Sequence, residues 1–281
     1  MNKFLENTGI EIDEFGRPSG ILLVNKEVGE TSHDVVDKVR KIYGTRKVGH
    51  AGTLDPFAEG LLIILVGKAT KLSNELLNKD KEYQAEVLFG ISTNTSDIEG
   101  TIDKSSEKEI NKEDLVNTLK KFQPNYNQYV PVFSSVKVDG DKLRVLARKY
   151  ESFEITKNKQ VIFKGPNSEK EVTLPSKVVN IHTLTLDSFS QVNSDKLLEQ
   201  LSIYKESLSD SVEQYISEFE GSFQLAQITV SCSKGTYIRQ LARDIGEELG
   251  SAAMLRSLKR TKVGPWSLLE AKTINELQAD K

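Results

Sequence analysis

Apolar positions change their period several times along this chain, and each change predicts an element. Ile21 to Val24 form an unbroken aliphatic run closed by Asn25 and Lys26, which reads as a buried strand. Thr31 and Ser32 follow as a turn and N-cap; Val35, Val36, Val39, Ile42 and Tyr43 then recur at helical spacing until Gly44 stops the helix. Gly60 opens a second run, Leu61 to Val66, whose six apolar residues lack polar alternation, the pattern of a central strand. Residues 68–77 read as a helix. From Tyr83 to Phe89 the pattern alternates, so Tyr83, Ala85, Val87 and Phe89 share one face of a strand. The polar stretch from Ser92 to Lys112 reads as a loop leading to a helix at 112–122, and a turn at Val138 to Asp141 precedes a basic helix. Between residues 160 and 220 lie strand-like pieces such as VVNIHTLTL and an acidic helix. Phe223 to Cys232 reads as a strand; after a turn at Gly235-Thr236, Ile238, Leu241, Ile245 and Leu249 make a helical stripe closed by Gly250. A basic strand from Leu255 to Trp266 and a short last helix complete the pattern. Strands and helices mix without steady alternation and without internal repeats, so the expected class is α/β in the α+β sense.

Composition narrows the chemistry. With 281 residues, 37% of them hydrophobic, the chain can bury a core as one large domain or two smaller ones. Its single cysteine, Cys232, cannot form an internal disulfide, and three histidines leave little material for a metal cage. A reducing environment with no cofactor and no metal is therefore expected. The longest aliphatic run is too short to span a bilayer and the first twenty residues hold no apolar signal core, which predicts a soluble, cytoplasmic protein. Net charge is −3, from 38 basic and 41 acidic residues, but it is unevenly distributed. Asp37 to His50 holds five cations against one carboxylate, Lys234 to Lys262 seven against three, and Asp187 to Glu220 eight carboxylates against two lysines. A positive face that binds phosphates is compatible with that distribution despite the negative total.

Arg46 to Gly60 is dense in residues with special backbone or chemical roles: Gly49, His50, Gly52, Thr53, Asp55, Pro56 and Gly60. Glycines and a proline around one aspartate suggest a loop of fixed geometry that presents Asp55, although a lone loop aspartate serves equally as a turn-former or helix cap. The string GHAGTLDPFAEGLL closely resembles the nucleophile loop of the TruB family of tRNA pseudouridine synthases, which isomerise the uridine at position 55 in the T-loop of tRNA. GILLVNKEVGETSHDVV, DKEYQAEVLFGISTNTSDIEG, PVFSSVKVDGDKLRVLARK and SKGTYIRQLARDIGEELG agree with the family in order and spacing. The resemblance implies a pseudouridine synthase fold, a mixed and mostly antiparallel central sheet flanked by helices. It also implies an N-terminal extension at 1–19 and a catalytic domain at 20–265, with an RNA-gripping segment near 124–150. An acidic insert near 157–220 exceeds the family pattern, and the tail 266–281 is too short for the PUA-type module that members commonly carry.

By the same resemblance Asp55 is the catalytic aspartate, Arg239 its cationic partner, and Tyr83 the ring that stacks on the flipped base. His50 matches the histidine that fills the gap left by the displaced nucleotide, Tyr237 the tyrosine of the YIR motif, and Leu258 a leucine set against the target base. Lys26, Arg46, Lys47, Lys137, Lys142, Arg256 and Arg260 are the cations expected at the RNA, with Arg144, Arg148 and Lys262 beside them. The residue types suit the reaction. Moving a glycosidic bond from nitrogen to carbon needs no redox partner, only a carboxylate that stays ionised in a partly closed pocket, and a paired arginine favours the ionised form. That anion can attack the sugar or base, or take a sugar proton to give a glycal. The expected partner is the tRNA T-arm, met by a monomer with no membrane contact. The alternative is a non-catalytic tRNA-binding or tRNA-folding protein with the same surface, for which Asp55 would be dispensable.

Overall fold

In the computed structural model, which describes residues 3–6, 8–156 and 158–280, the chain is built around one long mixed sheet. Strand β1 (Pro18–Lys26) leads through helix α1 (Ser32–Tyr43) to β2 (Glu59–Val66) and β3 (Lys81–Phe89). Helix α2 (Lys112–Lys121), strand β4 (Asn125–Tyr129) and helix α3 (Leu143–Lys149) follow. Next come the long β5 (Ser176–Asn193), helices α4 (Ser194–Leu201) and α5 (Asp210–Glu218), β6 (Ser222–Cys232), α6 (Ile238–Glu248) and β7 (Ala253–Val263). Across the sheet the order is Gly9–Ile12, β1, β2, β7, β3, β6, β5, β4. Only the β2–β7 contact along this path is parallel, so the sheet is mixed and mostly antiparallel.

The unbroken apolar runs have a direct cause: both faces of β1 and β2 are covered. Leu62, Ile64 and Val66 of β2, with Leu22 and Val24 of β1, belong to the main core shared with α1 and α6. Leu61, Ile63 and Leu65, with Ile21 and Leu23, belong to a second core on the opposite face, with Leu72, Leu76 and Trp266. Helix α1 is closed at both ends as its sequence signals predict. Thr31 and Asp34 form a reciprocal capping box, and Gly44 takes a left-handed φ of 62°.

Three stretches differ from the sequence expectation. Residues 68–77 are not one helix but a 3-10 turn, Gly67–Leu72, followed by the short helix Ser73–Leu77. The polar stretch after Ser92 contains a small hairpin, Ile91–Thr93 paired with Ile102–Ser105, whose connecting loop is largely buried, with Asp97 1% and Ile98 0% exposed. Internal side-chain hydrogen bonds among Thr93, Asn94, Thr95, Asp97 and Thr101 hold that loop, so it carries little apolar periodicity. Finally, residues 124–150 do not stand alone. Val130, Val132, Leu143 and Leu146 share a third core with Val161, Phe163, Val172 and Leu174 of a three-stranded sheet formed by Ser152–Ile155, Gln160–Gly165 and Ser168–Thr173. The first part of the stretch beyond residue 157 therefore completes this small core, and only α4 and α5, at the tip of the β5–β6 hairpin, project as an insertion. The turn expected at 138–141 is a two-residue hairpin with Asp139 and Gly140 at φ of 53° and 90°.

No helix among the described residues is long and apolar enough to cross a membrane. Gly60 sits where parallel β2 and β7 meet, opposite Arg260, with φ of 106°; a Cβ there would lie 2.4 Å from the Arg260 carbonyl oxygen. Gly60→Ala adds both steric overlap and left-handed strain of about 1–3 kcal/mol. The expected result is a fall of roughly 5–10 °C in the thermal unfolding midpoint, measured by calorimetry.

Candidate active site

The Asp55 loop is shaped by two buried cations. Lys26 is fully buried, and its ammonium donates to the carbonyls of Glu27 at 2.8 Å, Glu30 at 2.7 Å and Pro56 at 3.2 Å. Burial pulls its pKa down to about 8. Arg260, 1% exposed, reaches the same loop from β7 and donates to the carbonyls of Leu61 at 2.7 Å, Gly52 at 3.0 Å and Thr53 at 3.3 Å. The first turn of α1 adds a third tether, because the Ser32 hydroxyl accepts from the Leu54 amide at 2.8 Å and donates to the Leu54 carbonyl. A backbone that turns this sharply leaves carbonyls unpaired in the interior, and cationic donors satisfy them more strongly than neutral groups would.

Asp55, its side chain 37% exposed, meets Arg239 through Oδ2 and Nε at 3.0 Å. The guanidinium projects from the first turn of α6 and is almost fully enclosed. One terminal nitrogen donates to the Thr95 carbonyl at 2.9 Å and to Asp97 Oδ2 at 3.2 Å, and the other to the Phe133 carbonyl at 3.1 Å. Burial works against its charge, but Asp55, Asp97 and Glu99 outweigh that cost and hold its pKa above the ordinary value. Asp97 is fixed in turn by the Thr95 hydroxyl at 2.5 Å and the Glu99 amide at 3.0 Å. Burial raises the pKa of Asp97, opposed chiefly by Arg239. Removing one member of a buried pair of this kind typically costs about 3–5 kcal/mol, because the remaining charge is left uncompensated.

A cavity of about 320 Å³ opens onto this pair and is lined by Asp55, Tyr83, Tyr237, Arg239 and Leu258. Sheet register explains the convergence: Arg260 lies opposite Tyr83 and Leu258 opposite Ala85 across β7 and β3, so these side chains share a face. Tyr83 is 9% exposed, and burial raises its pKa. Tyr237 precedes α6, with its backbone amide and carbonyl both bonded to the Gln128 side chain of β4. His50, half-buried on the strand Val48–His50, is outside the cavity lining, and burial lowers its pKa toward the neutral form. Arg46 and Lys47 are exposed, and Lys137 and Lys142 face each other across the 137–142 hairpin.

Three expected RNA cations need correction. Lys26 and Arg260 are interior groups committed to backbone carbonyls, and Arg256 pairs with Glu86 while donating to Gln200 at 2.8 Å. Arg260 nonetheless lines the cavity beside Tyr83, whereas Lys26 and Arg256 do not. Lys262, expected beside them, pairs with Glu82 at 2.9 Å. Sequence reasoning also missed members of the site. Lys81, two residues before Tyr83 on the alternating strand, lines the cavity, together with Arg144, which was among the expected cations. The period of two placed Lys81 beside Tyr83, but a lysine on a strand suggests solvent, and only burial to 7% reveals otherwise. Asp97 and Glu99 lay in a polar stretch that offered no signal beyond their motif.

The architecture is the pseudouridine synthase fold, which sets the class. Among solved structures, the chain in a Cbf5-Nop10-Gar1 complex aligns with a TM-score of 0.59 at 21% identity, over 97% of this chain and 59% of that one. A chain from an H/ACA RNP bound to a substrate RNA containing 2′-deoxyuridine aligns with a TM-score of 0.55 at 20% identity, over 92% of this chain and 52% of that one. This chain thus spans little more than half the length of those structural relatives, and at such identity the likeness concerns the fold alone. The family model described as TruB family pseudouridylate synthase (N terminal domain) matches residues 40–183. The tRNA pseudouridine synthase B of Bacillus pumilus is 38% identical over 262 residues, 92% of this chain and 70% of that protein. That of Thermobifida fusca is 35% identical, over 93% of this chain and 75% of that protein. The chain belongs to the TruB family of pseudouridylate synthases.

Glu99 gives the site a pH signature. Burial, with the charges of Asp97 and Asp55, raises its pKa from 4.5 to about 7. The folded chain therefore holds this proton more tightly than the unfolded chain, so the group's contribution to stability falls as pH rises from about 4.5 to 7 and is level above that. Glu99→Gln is expected to remove this slope. Calorimetric scans would show the variant melting a few degrees above wild type at pH 8 and converging with it near pH 5.

Proposed function

We propose that this protein converts a uridine of tRNA, the one at position 55 in the T-loop, to pseudouridine. The relatives named above are tRNA pseudouridine synthases B. The observation that carries the reading is Asp55 bonded to a buried guanidinium on the lining of a cavity walled by Tyr83, Tyr237 and Leu258. Isomerisation breaks the N1–C1′ bond and forms a C5–C1′ bond; N1 gains a proton and C5 loses one, so neither oxidant nor reductant enters. Asp55 supplies the anion that engages the extruded nucleoside, and Arg239 holds that carboxylate charged and in one orientation. Extrusion costs a few kcal/mol, and stacking on Tyr83, worth about 1–3 kcal/mol per base, offsets much of it while His50 fills the vacated space. Arg46, Lys47, Lys137, Lys142, Arg144 and Arg148 form no ion pairs among the described residues and supply the phosphate contacts. The enzyme acts in this reading as a cytoplasmic monomer that grips the T-arm by shape and splayed bases.

The test follows tritium release from tRNA transcripts carrying 5-tritiated uridine, in the presence of EDTA. Wild type is expected to release one tritium per tRNA, and Asp55→Asn to lose at least a thousandfold in rate while still binding. No release by wild type, or equal release by the variant, rejects the assignment; the second result would favour a non-catalytic RNA chaperone. Phosphate contact is checked separately by titrating tRNA binding against salt. Arg144→Ala should weaken binding and lower the slope of log K against log salt by about 0.7–0.9, whereas Arg256→Gln, whose charge is internally paired, should leave that slope unchanged.

A further inference from the structure

Helices α4 and α5 extend the tip of the β5–β6 hairpin, which closes at the pair Asn193 and Ser222. A tight turn would suffice to join those strands. The inserted residues instead pack against three supports of the site, away from the cavity itself.

The densest contact is a row of serines at alternate positions. Ser207 is a neighbour of the Glu99 carboxylate and favours its ionised form. The Ser209 amide donates to the Ile98 carbonyl at 3.0 Å, and its hydroxyl donates to the Gly100 carbonyl at 2.6 Å while accepting from Val212 as the N-cap of α5. The Ser211 hydroxyl accepts from the Ile102 amide at 3.1 Å. These bonds grip residues 98–102, immediately after Asp97. At the other end of the insertion, Gln200 accepts from Arg256 of β7 at 2.8 Å, two residues before Leu258. Glu206 packs against Gly29, in the turn whose carbonyls hold Lys26. Leu201 and Val212 are fully buried in the main core together with Ile98.

The gripped loop has reason to need support. Ser96 holds a left-handed φ of 62°, Asp97 is buried with Oδ2 accepting from Arg239, and Glu99 adds a further carboxylate. Left-handed strain and like-charge repulsion both favour opening the loop. If the loop opened, Arg239 would lose one of its two carboxylate partners, and its alignment on Asp55 would loosen.

We infer that the α4–α5 insertion is a positioning brace for the active site: Ser209 and Ser211 hold the Asp97 loop closed and thereby keep Arg239 aligned on Asp55. This rests on the function proposed above. The brace acts through Asp97 and touches no substrate, so it should govern the chemical step and leave tRNA binding alone.

The distinguishing variant is Ser209→Asp. Aspartate caps α5 as well as serine does, yet an ionised carboxylate has no proton to donate to the Gly100 carbonyl. Ser209→Thr keeps both functions. Expected for Ser209→Asp is a drop of about tenfold in kcat for tritium release with KM within twofold, full activity in Ser209→Thr, and faster hydrogen exchange across residues 94–102 with β3 unchanged. Wild-type kcat and unchanged exchange in Ser209→Asp would overturn the brace, and so would kcat, KM and thermal midpoint falling together in both variants. If wild type itself releases no tritium, the functional reading fails. The exchange comparison still decides whether the serine row holds the loop.

Discussion

The site depends on the cost of enclosing one guanidinium. Arg239 lies at the end of a buried helix, on the far side of the loop that carries Asp55, and its charge cannot reach bulk water. An unpaired charge in that position would be untenable, so two carboxylates and two backbone carbonyls must converge on it. They come from three parts of the chain: Asp55 from the loop before β2, Thr95 and Asp97 from the loop after β3, and Phe133 from the 124–150 segment. Satisfying one side chain thereby aligns three loops. The Asp55 carboxylate is oriented by the same guanidinium through Oδ2.

A second group of buried cations performs the corresponding task for the backbone. Lys26 and Arg260 collect five carbonyls between the Asp55 loop and its neighbours, plus that of Glu27, and hold the loop from opposite edges of β2. Such donors leave the aspartate little freedom to turn inward. The geometry around Asp55 is thus built from charge placed beneath it, while Arg46, Lys47, Lys137, Arg144 and Arg148 stand on exposed segments. The two sets are chemically distinct, since one is desolvated and committed to carbonyls while the other is solvated.

Much of this was legible before any coordinates. The Val35 to Ile42 spacing with its Thr31 and Gly44 boundaries specified α1, and the strict alternation from Tyr83 to Phe89 set the face on which Tyr83 lies. The glycine-rich context of Asp55 and the YIR string marked the two ends of the ion pair. What misled was residue type. Arg260, Arg256 and Lys26 read as phosphate ligands because lysine and arginine are usually solvated, and a linear pattern gives no indication that a neighbouring turn needs its carbonyls capped. The loop around Asp97 was illegible for the converse reason, since hydrogen bonds between short polar side chains hold it and leave no hydrophobic period.

Local order, then, was set by the sequence itself: where helices begin and stop, which strand faces are apolar, and which loop presents the aspartate. These follow from backbone sterics and from burial at a fixed repeat, both of which act over a few residues. Tertiary structure alone decided which charges became interior. Burial of Lys26, Asp97, Arg239 and Arg260 depends on partners 30 to more than 200 positions distant, as the separation of 30 between Lys26 and Pro56 and of 208 between Arg260 and Gly52 illustrates. Desolvation is a property of the assembled neighbourhood, and so the division between interior supporting cations and solvated ones exists only in the fold.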